Sequence, residues 1–448
     1  MKNRLNFNEA VEYVRSLDVY GSVLGLDNMR ALASELDNPQ DGLKFIHVTG
    51  TNGKGSVCAF ITSVLATAGY KVGAYNSPVV LSDTDQFRIN TKIVSKRLYA
   101  EAITLVKSAA DKVVEASGVH PTRFEVETMA AFVMFYIEKC DIVVLETGLG
   151  GRDDATNIIN TSILHVITSI SKDHTAVLGS TLEEIVKNKC GIIKTSAPVV
   201  FFDNEDSEFL DESAKARQVV INKCAGTGSE LILVNGSHIE STTVSRGKLN
   251  IIFREDAAKA VKRVKVSMTG AYQKNNVLIA IRVIETLIEM GYNITAEAIS
   301  IGMEKAKIPF RFEKIKYNNL VDIILDGAHN PDGAKNFIDS LRLNYKDKDF
   351  IFIIGIFKDK DYEKIAKITG EIARKIYVIE NTKSPRALDR NTLCKVYSKY
   401  CRDVYARDSI EEAICSAIKN VSDRNTVICC FGSLSWLADA KTVIKELR

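Results

Sequence analysis

The stretch Lys44-Phe-Ile-His-Val-Thr-Gly-Thr-Asn-Gly-Lys-Gly-Ser56 constrains this chain more than any other. Phe45, Ile46 and Val48 read as an apolar strand, and Ser56 to Ala68 reads as a helix. Between them Gly50, Thr51, Asn52, Gly53 and Gly55 form a glycine-rich loop that frees the backbone to curl. Such a loop points successive N–H groups at an anion, with the positive end of a helix behind it. Lys54 is placed to reach terminal phosphates, and Ser56 can offer a hydroxyl to magnesium. A standard P-loop puts a glycine where this chain has Val48, so Gly50 to Ser56 is a shorter and rarer form. The bland alternative is a glycine-rich turn between strand and helix.

Strand and helix patterns alternate along the rest of the chain, which predicts an α/β fold with parallel sheets. Strands are expected at Lys44–Thr49, Val72–Asn76, Asp141–Glu146, Ile163–Ser169 and Ala197–Phe202. Helices are expected at Lys96–Ala116, Glu125–Lys139 and Leu182–Lys189. Short alternating runs between Ser241 and Met268 predict a β-hairpin, followed by a helix from about Gln273 to Met290. Pro309 marks a linker near Lys305–Phe312. Beyond it strands restart at Val321–Asp326, Phe350–Ile354, Lys375–Ile379, Asp403–Ala406 and Thr426–Cys430. At 448 residues two domains are expected, 1–305 and a smaller 306–448.

Composition narrows the classes of function. An apolar fraction of 46% and a charged fraction of 26% are ordinary for a soluble globular protein. A net charge of +3 gives no footprint for nucleic acid or a membrane surface. No apolar run is long enough to cross a bilayer, and the polar start of the chain lacks a signal-peptide core. Nine scattered cysteines without a Cys-x-x-Cys pair argue for reduced thiols in a cytoplasm.

Four further segments sit at expected strand ends, where open α/β sheets place ligands. Glu146 ends a buried strand before the loop Thr147-Gly-Leu-Gly-Gly-Arg152-Asp-Asp154; it can hold Mg²⁺ or merely cap the next turn. His174 follows Asp173 at the end of another strand and reads as a ligand, an orienting group or a structural histidine. In Glu183-Glu-Ile-Val-Lys-Asn-Lys189 the pattern is a charged amphipathic helix, and nothing promotes Lys189 above its neighbours. Gln273, Asn275 and Asn276 suit adenine recognition and helix capping equally. Asp326-Gly-Ala-His329-Asn330-Pro331 joins an acid and a histidine at a strand end, although Asn330-Pro331 is also a routine helix start.

Together these segments resemble the folylpolyglutamate synthase / dihydrofolate synthase family of the Mur ligase superfamily, nearly end to end. The resemblance includes Leu24-Gly-Leu26, Thr49–Ser56, Ser77-Pro78, Phe124-Glu125, Glu146–Arg152, Asp154-Ala-Thr-Asn157 and Asp173-His-Thr175. It continues through Lys189-Cys-Gly-Ile192, Phe310-Arg-Phe-Glu313, Asp326–Pro331, Ser384-Pro-Arg386 and Phe431-Gly-Ser-Leu434. It implies a Mur-ligase-type N-terminal ATPase domain and a Rossmann-like C-terminal domain. The implied reaction is ATP-dependent: a carboxylate is phosphorylated, and the amine of L-glutamate attacks the acyl phosphate.

By that resemblance Ser77, Glu146 and His174 hold two Mg²⁺ ions, with Ser56 near the phosphates. Lys54, His174, Lys189 and His329 would be catalytic, with Lys189 as N6-carboxylysine. Gly50 to Ser56, Asn276, Arg311 and Asp326 would contact ATP, the last two from the linker and second domain. Asp27, Arg30, Thr122, Phe124, Glu125, Arg152 and Asp154 would meet the acceptor, and Ser433, like His329, the glutamate. The expected partners are dihydropteroate or tetrahydrofolate, L-glutamate and ATP, for a cytoplasmic monomer.

The chain departs from the family pattern at Asn28, Val79, Asp85, Gln86, Asp153 and Tyr272, where Tyr272 stands for the usual histidine. A Mur-type ligase for a non-folate carboxylate is therefore one alternative. A nucleotide-binding regulator without catalysis is another, opposed by the intact Lys54, Glu146, His174, Lys189 and Asp326.

Overall fold

The computed structural model describes residues 4–21, 23–204, 210–255, 257–318, 320–381, 384–421 and 425–447. The first sheet comprises β1 (Phe45–Thr49), β2 (Val72–Tyr75), β3 (Phe87–Ile89), β4 (Lys92–Ile93), β5 (Ile142–Glu146), β6 (Ser162–Ile167), β7 (Val199–Phe202) and β8 (Leu231–Val234). Their order is β4-β3-β2-β5-β1-β6-β7-β8, parallel except that β3 runs antiparallel to both β2 and β4. Strand β1 is buried at every position, as a central parallel strand covered on both faces must be. A three-stranded sheet follows, β9 (Ile239–Ser245), β10 (Lys248–Phe253) and β11 (Arg263–Val266), so the expected hairpin gains a third strand.

The last sheet comprises β12 (Glu313–Tyr317), β13 (Val321–Leu325), β14 (Asp349–Ile354), β15 (Ala373–Val378), β16 (Val404–Ala406) and β17 (Thr426–Phe431). Its order is β12-β13-β17-β14-β15-β16, with only β12 antiparallel. The chain divides into two compact units, one of Met1–Ser241, Ile252–Val264 and Asn275–Ala306, the other of Thr242–Ile251, Lys265–Lys274 and Lys307–Arg448. The main break thus falls beside the expected 305/306 boundary. Two short segments that the sequence places in the first domain belong to the second unit.

The helix Lys54–Thr67 is buried along most of its length, with Val57, Phe60, Ile61, Val64 and Leu65 among the buried side chains. It packs on the helix Ala296–Lys305, where the Ser63 hydroxyl donates to the Gly302 carbonyl at 2.7 Å. On the sheet's other flank Phe45 meets Phe132 edge-on at 5.5 Å, within a core that includes Tyr99, Ile103 and Met129. Each such side chain contributes about 1.5–3 kcal/mol by leaving water. The helix that carries the glycine-rich loop is therefore fixed by a largely apolar packing surface and a buried hydrogen bond. Among the described residues no helix is long and apolar enough to cross a membrane.

One buried feature has no apolar explanation. His47 on β1 and His165 on β6 are cross-strand partners, and both are fully buried. His47 Nε2 lies 2.9 Å from Thr156 Oγ1, while neither Nδ1 has a hydrogen-bond partner. Burial holds the His47 imidazole well below its ordinary range and lowers His165 to about 4, with the nearby Lys194 charge adding to both.

Folding therefore favours neutral imidazoles, and the unfolded chain takes up protons first as pH falls. Stability contributed by His165 is fully present above about pH 6.5 and is lost as pH falls toward about 4. Thermal midpoints measured across that window should fall on acidification, and His165→Gln should flatten the slope. Equal slopes for parent and variant would show that the histidine pair does not control acid stability.

Candidate active site

The glycine-rich loop leaves the carboxyl end of β1, between the ends of β5 and β6. Its shape is imposed by its neighbours. Gly50 has φ +151°, and a Cβ there would lie 1.8 Å from Thr168 Oγ1; at Gly53, φ +92°, it would lie 2.4 Å from Asn276 Oδ1. The segment after β6 braces the loop along its length. Thr51 N–H donates to Ser169 O at 2.8 Å, and its hydroxyl donates to Ser171 O at 3.0 Å. Thr168 and Ser169 hydroxyls both donate to Asn52 O, at 2.8 and 3.1 Å.

Gly53 stands at the helix start without a side-chain cap, so the loop leads directly into the positive end of Lys54–Thr67. Ser56 is buried in that turn.

Two lysines converge on one atom of this loop. Lys54 Nζ donates to Gly50 O at 3.2 Å, and Lys189 Nζ donates to the same carbonyl at 2.7 Å. Lys189 is 3% exposed, which excludes a solvated surface charge. Burial, and then repulsion from Lys54, push its ammonium well below the ordinary lysine range. A signal for it was present: Leu182, Ile185, Val186 and Lys189 fall at i, i+3, i+4 and i+7, the face that the helix Leu182–Lys189 buries.

Glu146, at the end of β5, is buried and accepts a hydrogen bond from Asn76 Nδ2 at 2.9 Å. Asn76 and Ser77 follow β2, the parallel neighbour of β5. Burial and then the Glu146 carboxylate push the Cys58 thiol well up, with Lys54 opposing, so both charges reach one buried atom. His174 stands at the start of the short helix Thr175–Leu178, exposed, its N–H donating to Asp173 Oδ1 at 2.8 Å. Among the described residues no three His, Cys, Asp or Glu side chains form a metal cage of their own. One carboxylate with the Ser56 and Ser77 hydroxyls suits Mg²⁺, which takes hard oxygens and shares itself with substrate phosphates.

The expected acceptor residues separate into four kinds. Thr122 and Glu125 form a reciprocal capping box on the helix Arg123–Ile137, with Thr122 N–H donating to Glu125 Oε2 at 2.7 Å. Asp154 is buried and takes Leu149 N–H and the Thr156 hydroxyl at 2.8 and 2.6 Å, pinning the loop after β5. Asp27 and Arg30 pair with each other at 3.0 Å on the surface, and Arg152 pairs with Asp153 at 3.0 Å. Phe124 alone presents a half-buried aromatic face; it stacks on Tyr75, which stacks on Phe87.

The departures from the family pattern also find places. Asp85 accepts the Leu81 N–H at 2.6 Å and is buried with Gln86, which is 2% exposed. Asn28 Nδ2 donates to Glu125 at 3.3 Å. Asp85 thus braces its own loop, and Gln86, a departure from the family pattern, is buried beside it with its side chain toward Glu127.

In the second unit Asp326 follows β13, buried, with Ala328 N–H at 2.9 Å on Oδ1. Its Oδ2 accepts Phe312 N–H and the Tyr272 hydroxyl, each at 2.8 Å. His329 Nδ1 lies 2.8 Å from Gly327 O, and Asn330 caps the helix Pro331–Asn344, confirming the helix-start reading. Gly432 N–H donates to Ala328 O at 2.9 Å, which brings Ser433, the cap of Leu434–Glu446, to the same rim as His329.

Comparison with known proteins agrees with this geometry. Residues 48–284 match the model of the Mur ligase middle domain, and 310–434 that of the Mur ligase glutamate ligase domain. Folylpolyglutamate synthase of Lacticaseibacillus casei is 30% identical over 438 residues, covering 97% of this chain and 98% of that protein. Dihydrofolate synthase/folylpolyglutamate synthase of Bacillus subtilis is 28% identical, covering 98% of this chain and 99% of that one. The crystal structure of folylpolyglutamate synthase from Thermotoga maritima superposes with a TM-score of 0.81 at 27% identity, covering 98% and 97% of the two chains.

The loop geometry makes a direct prediction. Gly53→Ala forces a Cβ onto a positive φ and against Asn276 Oδ1, and should destabilise by about 1–3 kcal/mol. Adding Asn276→Ala should recover the part due to the clash and not the part due to φ. Urea midpoints of the four proteins in the cycle would test it; no recovery in the double variant would leave the clash without energetic weight.

Proposed function

The chain belongs to the Mur ligase family, in its folylpolyglutamate synthase / dihydrofolate synthase branch, and from that premise we propose how its residues run the reaction. The proposed substrates are ATP, L-glutamate and the carboxylate of a folate, either dihydropteroate or a tetrahydrofolate. A carboxylate oxygen attacks the γ-phosphorus of ATP, ADP leaves, and an acyl phosphate forms. The glutamate nitrogen then attacks the acyl carbon, and the tetrahedral intermediate expels phosphate to leave an amide.

The observation that carries this reading is the convergence of Lys54 and Lys189 on Gly50 O beneath an anion-binding helix end. Lys54 needs only to turn from its own loop to meet the transferring phosphoryl oxygens, whose charge it would neutralise. Mg²⁺ held by Ser56, Ser77, Glu146 and His174 would supply further charge neutralisation at the phosphates. Asn276, set against Gly53, is assigned to the nucleotide, as are Arg311 and Asp326.

The glutamate amine must lose a proton to attack. Gly327 O only accepts, so His329 Nδ1 carries the ring proton and Nε2 is the basic nitrogen. His329 is thereby assigned to receive the amine proton, with Ser433 beside it on the same rim.

Lys189 is assigned as the N6-carboxylysine. Burial favours its neutral amine, the form that adds to CO₂, and the carbamate formed is an anion beside the Lys54 ammonium. ATP- and glutamate-dependent phosphate release, screened with dihydropteroate, tetrahydrofolate and unrelated carboxylates, tests the function as a whole. Release driven only by a non-folate acid would move the chain to a different acceptor with the same chemistry.

Two variants test the lysines. Lys54→Ala should lower turnover by about a hundredfold or more with an unchanged thermal midpoint, and near-normal release would remove Lys54 from the chemistry. Lys189→Ala should lose part of its activity and regain some with acetate. Intact-mass spectrometry with and without bicarbonate reads the carbamate itself, and no added mass on the parent would remove it.

A further inference from the structure

The Asp326 cluster contains a residue that the reaction as described does not use. We propose that Tyr272 is a positioning residue for nucleotide binding: its phenol O–H and the Phe312 N–H together fill Asp326 Oδ2, so the carboxylate accepts a ligand donor only on Oδ1. This rests on the assignment of Asp326 to the nucleotide.

A carboxylate offers about four acceptor directions. Oδ2 takes two donors at 2.8 Å, Tyr272 and Phe312, and Oδ1 takes Ala328 N–H at 2.9 Å. One direction on Oδ1 is left. Arg311 lies alongside, its Nη1 2.3 Å from where a Gly327 Cβ would stand; burial pushes the Asp326 carboxyl up, and the Tyr272 hydrogen bond, the Arg311 charge and the two backbone donors oppose that push.

Tyr272 is itself held firmly. Its ring lies against Gly270, where a Cβ would come within 2.8 Å of Cε1. The preceding residues are tied to the helix Pro331–Asn344 of the same unit. Ala271 N–H donates to Ser340 Oγ at 2.8 Å, and Asn344 Nδ2 donates to Thr269 O at 2.9 Å. The hydroxyl therefore reaches Asp326 from a fixed loop, and its hydrogen bond to a carboxylate is of the stronger, charge-assisted kind.

The chemistry of the ligand group follows from that geometry. On ATP the donors are the two ribose hydroxyls and the adenine amine, while the phosphates are anions that a carboxylate repels. One open direction takes one donor, so Asp326 binds a single hydroxyl or the amine and does not chelate both hydroxyls.

The test is steady-state kinetics of the full chain for the parent, Tyr272→Phe, Tyr272→His and Asp326→Asn. Tyr272→Phe should raise KM for ATP about tenfold while leaving kcat and KM for glutamate unchanged. Tyr272→His, which returns a ring N–H, should be the milder change. An equal defect in both variants, or equal rises in both KM values, would reduce Tyr272 to a packing role and overturn the proposal. A raised KM for ATP in Asp326→Asn but not in Tyr272→Phe would overturn it alone. Unchanged KM for ATP in Asp326→Asn would overturn the nucleotide assignment beneath it. Analogues lacking the 2′ hydroxyl, the 3′ hydroxyl or the amine should show weaker binding to the parent for one removal only. Weakening by both hydroxyl removals would overturn the single-donor assignment.

Discussion

Two lysine side chains donate to the Gly50 carbonyl, and the geometry of the loop in the first unit makes that tolerable. Like charges this close repel by several kcal/mol wherever water is excluded. The structure relieves the repulsion by desolvation: Lys189 is buried and its ammonium form is disfavoured, while Lys54 keeps partial access to solvent. Gly50 itself sits at φ +151° with Thr168 packed where a Cβ would stand, so no other residue fits at the carbonyl that takes both donors. Strand β1 holds the loop from below, and the apolar helix Lys54–Thr67 holds it from behind.

Much of this was legible in the sequence. The strand, loop and helix from Lys44 to Thr67 follow from apolar runs and glycine positions, and the helix Leu182–Lys189 was placed at its observed bounds. The edge strands β3, β4 and β8 were missed because they are short and partly exposed, so periodicity had little to register. Lys189 was undervalued for the opposite reason. Its charge type outweighed its place on the apolar face, although position decides burial and residue type only decides what burial costs.

The residues expected to meet the acceptor show a different limit. Thr122-Arg-Phe-Glu125 is a capping-box pattern in plain view, and the structure uses it as one. A residue can serve a helix end and a ligand together, and a linear pattern does not say which. Asp85 and Gln86 look like lost charge contacts in one dimension, yet both are buried, and Asp85 braces the loop that carries it. The Tyr272–Asp326 bond has no linear signature at all, because segments distant in sequence meet only through the fold.

The buried polar groups of the two units divide by how far they are satisfied. Asp154 and Asp326 each receive several donors, so burial raises both without stranding either, and each fixes a loop at a strand end. His47 and His165 are the reverse case, with buried nitrogens lacking partners and a neutral form enforced by desolvation. A satisfied carboxylate resists motion because moving it breaks several bonds together. An unsatisfied imidazole gives no such resistance; it makes the sheet beneath the loop sensitive to protons. Rigidity at the rim and sensitivity in the core therefore arise from one physical rule, the cost of an unpaired polar atom away from water.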